Sequence, residues 1–114
     1  MATFVKYTPQ SGSTASTIKR TSVSDPIYIA STTDHYIGVD TSTNLVTITL
    51  PLAALAGNGK VLVIKDESGN ASVNNITIAV AGVNTIDTSP GYVMSTAFES
   101  ITVVSDGVNG WFII

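Results

Sequence analysis

From Pro26 onward the chain is a succession of short β-branched runs cut by turn residues, and that rhythm leaves room for little but an all-β domain. The clearest run is "NLVTITLP", in which Val46, Ile48 and Leu50 point one way and Thr47 and Thr49 the other. Pro51 ends it, because proline has no N–H to give a ladder. "PIYIAS" sets Ile27 and Ile29 on one face and Tyr28 on the other, and "HYIGVD" repeats the pattern with Ile37 and Val39. Only "LAALAGNG" is rich in helix formers, so helix is expected solely as a turn near residues 52–57.

Three runs break the alternation: residues 61–64, 101–104 and 111–114 are apolar on both faces. A strand without alternation is covered on both sides, and in a chain this short the second cover is expected from another subunit. Residues 60–66 and 75–81 read as two strands joined by "ESGNASVN", where Gly69 can take positive φ. "ITVVSDGVNGWFII" reads as a C-terminal hairpin turning at Asp106-Gly107 and Asn109-Gly110. The expected total is about seven to nine strands. Val46, Ile48, Leu50, Val61, Val63, Ile76, Ile78, Ile101, Val103 and Trp111 are the expected core.

The chain divides into an extended N-terminal arm, residues 1–24, and one β-domain, residues 25–114. "FVKYT" could form a short strand, but "PQSGSTASTIKRTSVSD" offers little to bury and reads as an arm ordered against a partner. Its candidate partner-binding residues are Phe4, Lys6, Tyr7, Lys19 and Arg20, the last two carrying charge close to the domain.

The 114 residues suit one modest core. Only 11% are charged, and the net charge is -3 with five basic residues, so no nucleic-acid partner is expected. There is no cysteine, which excludes disulfides and thiolate metal sites. The N-terminus shows no signal-peptide apolar segment, and no run approaches a membrane span, so no membrane partner is expected.

Catalysis needs titratable groups that meet, and few are on offer. His35, the sole histidine, has no G-x-S-x-G nucleophile to serve and reads as a surface or subunit-contact residue. Of Asp40, Asp66, Glu67, Asp87, Glu99 and Asp106, half sit directly beside Gly or Ser, where acids form turns. "DESGN" lacks the twelve-position calcium-loop pattern, and Gly57 and Gly59 precede a strand instead of a helix that would hold phosphate. No enzyme, cofactor or metal site is expected.

The text "TLP" at 49–51, "GKVLVIKDESGNA" at 59–71, "NNITI" at 74–78, "TID" at 85–87 and "SDGVNGW" at 105–111 resembles a recurrent module of tailed-bacteriophage virion proteins. Capsid-decoration (cement) proteins and the heads of head and tail fibres carry similar text. The likeness covers residues 46–114; it departs at "TSPG" after Asp87 and at Gly110, inserted before Trp111. It implies a single β-sandwich or jelly-roll-like domain that forms a homotrimer. The implied place is the virion, bound to the major capsid protein or another virion protein. The alternative it implies is a fibre or spike head that binds a host receptor or glycan.

Overall fold

The computed structural model describes residues 17–114. Ten strands and one helical turn form two sheets, so the domain is all-β. In chain order the strands are β1 (Arg20–Val23), β2 (Ile27–Ile29), β3 (Tyr36–Val39), β4 (Val46–Thr49), β5 (Asn58–Asp66), β6 (Ile76–Ala79), β7 (Thr85–Ile86), β8 (Gly91–Met94), β9 (Ser100–Asp106) and β10 (Gly110–Ile113). The helical turn α1 (Ala53–Ala56) lies where helix formers cluster and stops at Gly57, whose φ is 92°. The count exceeds the expected seven to nine because β1 falls inside the segment assigned to the arm and β7 has two residues.

The chain crosses between the sheets with each successive strand at first. β1, β3 and β5 pair in parallel in the first sheet, and β2, β4 and β6 pair in parallel in the second. Parallel neighbours need a long crossover, and here the crossover from each strand to the next in its own sheet carries a strand of the opposite sheet. The C-terminal third then closes the structure with antiparallel pairs, apart from the short β7, which lies parallel to β10. β9 lies on β5, β10 returns beside β9 as the expected hairpin, and β8 lies on β6. The first sheet runs β1-β3-β5-β9-β10-β7 and the second β2-β4-β6-β8. The strands on either side of "ESGNASVN" therefore belong to different sheets and do not pair.

Parallel register stacks like on like. Ile37 pairs with Ile64, Val46 with Ile76, and Ile48 with Ile78, and these six side chains are buried in one core shared by both sheets. Trp111 is fully buried, and its indole N–H donates to the Pro51 carbonyl at 3.0 Å, so the polar atom of the largest core side chain is satisfied. Eight of the ten expected core residues are buried; Val61 and Val63 are not. Leu62 and Ile64 take the inward face instead, opposite Val103 and Ile101 of β9. An irregularity between Asn58 and Val61 sets that register.

Candidate functional site

The outer face of the first sheet carries two neighbouring surfaces of opposite character. At its β1–β3 margin lies an open groove of about 550 Å³ lined by Arg20, Ser22, Ser24, Gly38, Asp40, Ser42, Glu67 and Ser68. Glu67, just beyond β5, folds back across β3, where a Cβ on Gly38 would collide with its carboxylate. Gly38 is thus the vacancy that admits the acid, the usual meaning of a glycine inside a strand. There Glu67 forms a two-pronged ion pair with the Arg20 guanidinium, whose Nε donates at 3.1 Å, and accepts from the Tyr36 hydroxyl at 2.7 Å. The hydrogen bond from Arg20 holds the Glu67 carboxyl below the usual range, and the same pairing raises Arg20. Tyr36 is raised by burial and by its bond to Glu67.

Two buried carboxylates fix the loops around this groove. Asp34 accepts from the hydroxyls of Thr21 and Tyr28 and from the Ser31 N–H, at 2.7 to 2.9 Å. Burial pushes its carboxyl up, but these bonds and Lys19, whose ammonium lies 3.5 Å away, outweigh burial and hold it low. Burial and the bond to Asp34 push the Tyr28 hydroxyl to about 12. Asp66 accepts from Thr41 Oγ1 and from the backbone N–H groups of Gly69, Ala71 and Phe98. Burial again raises it, and the N–H donors, led by Phe98, win. One carboxylate thereby ties together the loops after β3, β5 and β8. Phe98 is held there at a φ of 62°, unusual for a bulky side chain, with its exposed ring over Gly69 and the Lys65 ammonium 5.7 Å from the ring centre.

Beside the groove the same face turns apolar. Val61 pairs with Val104 and Val104 with Phe112, while Val63 lies opposite Thr102. Val61 is 39%, Phe112 42% and Ile114 72% exposed, while Val63, Thr102 and Val104 are half-buried, so the outward side of these strands is only partly covered among the described residues. The second sheet's outer face is uncharged as well. Its rows read Ile27–Thr47–Thr77–Val93 and Ile29–Thr49–Ala79–Gly91, with Ile27 and Ile29 70% and 71% exposed at the edge.

Of the expected partner-binding residues, Phe4, Lys6 and Tyr7 lie outside the described residues. Arg20 lines the groove and Lys19 precedes it outside the lining, each engaged with a carboxylate of its own chain. Tyr36, Gly38 and Glu67 were not singled out from sequence as a site; the mid-strand glycine of "YIGV" is the one signal pointing to them. His35 is exposed, and among the described residues no hydrogen bond joins its imidazole to a hydroxyl or carboxylate. Among the described residues no cluster of His, Cys, Asp and Glu fits a metal ion, and no helix is long and apolar enough to cross a membrane. The arrangement offers hydroxyls, a paired guanidinium and apolar strand faces. The chain matches no protein-family model and no curated protein sequence.

Proposed function

We propose that this chain is a non-enzymatic structural protein of a bacteriophage virion, a capsid decoration protein that binds the outer shell as a homotrimer and stabilises it. The supporting observation is the apolar outer face on β5, β9 and β10, made by strands whose sequences are apolar on both sides. Exposed to water such a face is costly; covered by a neighbouring protomer it contributes about 25 cal/mol per Å² of apolar area removed. Two sheets around one core support the sandwich reading of the domain, and the resemblance in residues 46–114 supplies the virion setting. Binding across subunit boundaries opposes their separation, because whatever binds only the assembled shell stabilises it.

A fibre or spike head that binds a host glycan is the second reading, favoured by the serine-lined groove around Arg20 and Glu67. Native mass measurement at micromolar protein is expected to show three copies per particle, and immunogold labelling of virions is expected on the shell. Label confined to the tail would replace the first reading with the second. A monomer that labels no virion structure would overturn both.

A further inference from the structure

The sequence holds two Asn-Gly pairs, Asn58-Gly59 and Asn109-Gly110, and the fold treats them in opposite ways. Asparagine before glycine is the pair most open to attack by the backbone on its own side chain, because glycine puts no Cβ in the way. The nucleophile is the glycine's backbone nitrogen, which must give up its proton and swing toward the asparagine Cγ. In a folded chain the rate depends on whether that peptide is held.

At Asn109-Gly110 it is held at both ends. The Asn109 carbonyl accepts from the Thr85 N–H at 3.1 Å, and the Gly110 N–H donates to Asp106 Oδ1 at 3.0 Å. Gly110 is buried and pairs with Thr85 across the β10–β7 ladder. A hydrogen bond to a carboxylate keeps the proton on nitrogen, and the negative charge beside it opposes an amide anion. The Gly110 N–H also leads the donors that hold Asp106 below the usual carboxylate range, so that charge is present at neutral pH.

Asn58-Gly59 has none of this restraint. Residues 57–60 form a turn closed by the Lys60 N–H on the Gly57 carbonyl at 3.2 Å, with Gly59 at a φ of 90° in its third position. The Asn58-Gly59 peptide is the middle one of that turn and takes no part in its closing bond. Both residues are exposed, and the space where a Cβ on Gly59 would lie is open. The register slips here as well. Asn58 stands opposite Asp106 and Val61 opposite Val104, so Gly59 and Lys60 together face Ser105.

We infer that Asn58 is a site of spontaneous deamidation in the folded protein and that Asn109 is shielded from it. The Gly59 nitrogen attacks Asn58 Cγ, the bond from Cγ to the side-chain nitrogen breaks, and ammonia leaves with the proton that Gly59 gave up. Water then opens the five-membered imide at either carbonyl, giving aspartate or isoaspartate. Either product brings a second carboxylate near Asp106, and like charges across a strand pair destabilise it. Isoaspartate also lengthens the backbone by a carbon at the irregularity that sets the β5 register.

Trypsin separates the two sites, since cleavage after Arg20, Lys60 and Lys65 leaves Asn58 in the peptide 21–60 and Asn109 in the peptide 66–114. The full-length protein is held folded in mildly alkaline buffer, digested, and read by fragmentation mass spectrometry; a second sample is held in denaturant. In the folded sample conversion at Asn58 is expected to outrun that at Asn109 severalfold, and in denaturant the two rates are expected to converge. Asn109 converting as fast as Asn58 in the folded protein, or Asn58 converting only in denaturant, overturns the inference. Asn58→Asp, one of the two products, is expected to lower the melting temperature at neutral pH. An unchanged melt overturns the cost assigned to the second carboxylate.

Discussion

Asp66 does the most for loop order of any single residue. Its Oδ1 accepts from Thr41 Oγ1 and the Gly69 N–H, and its Oδ2 from the N–H groups of Ala71 and Phe98. An amide in its place sets an NH₂ against donors whichever way it flips. Asp66→Asn is therefore expected to cost about 3 kcal/mol in denaturant unfolding. Asp34 and Asp66 both have carboxyls held below the ordinary value, so in acid the unfolded chain takes up more protons than the folded one. Their contribution is complete above the ordinary carboxylate value of about 3.9 and is lost as pH falls through it toward the lower folded values. Melting temperature measured from pH 7 down to pH 3 is expected to hold to about pH 4 and to drop below it. Asp66→Asn is expected to flatten that drop.

Strand β5 puts its two faces to different uses, and substitutions separate them. Leu62 is fully buried against β9, so Leu62→Ala is expected to cost about 2–5 kcal/mol in thermal or denaturant unfolding. Val61, its neighbour, faces outward beside Val104, and Val61→Thr is expected to change the stability of the isolated protomer by less than about 0.5 kcal/mol. The sequence offers no means of telling these two apart, because residues 61–64 are apolar without a gap and strand parity is lost. The antiparallel register with β9, where Ile101 and Val103 are buried, settles it. Where alternation is clean, as in "LVTITL", the faces were legible in advance, and Val46, Ile48 and Leu50 are buried as read.

The whole molecule presents a polar groove and an apolar strip on one outer face and an uncharged threonine-rich sheet on the other. Val104 sits in the middle of the apolar strip, between Val61 and Phe112. Val104→Lys places an ammonium there and, on the proposed homotrimer, is expected to leave only protomers by light scattering, with the β-sheet circular dichroism retained. Loss of the circular dichroism signal as well would make Val104 a folding residue instead of a contact residue. Arg20 and Lys19, assigned to the arm from sequence, belong to the sheet margin, so a truncation that tests the arm must stop before them. On the proposed function, removing residues 2–16 is expected to abolish virion binding while the β-sheet circular dichroism of the domain is retained.

For the described residues the sequence alone determined that the domain is all-β, where helix interrupts it, where Pro51 stops a strand and that β9 and β10 form a hairpin, because propensity, period and turn chemistry act over a few neighbouring residues. It also marked the acids near turns, and Asp106 does accept from Val108, Asn109 and Gly110 in the final one. It did not determine which strands pair or in which sense, because a period of two is the same in parallel and antiparallel ladders. The coil from β1 to β6 is therefore a product of the tertiary structure, which alone brings the N-terminal "RTSV" beside "YIGV". The groove has the same origin: Arg20, Tyr36 and Glu67 are far apart in the chain, and their hydrogen bonds form only once β1, β3 and β5 align in register.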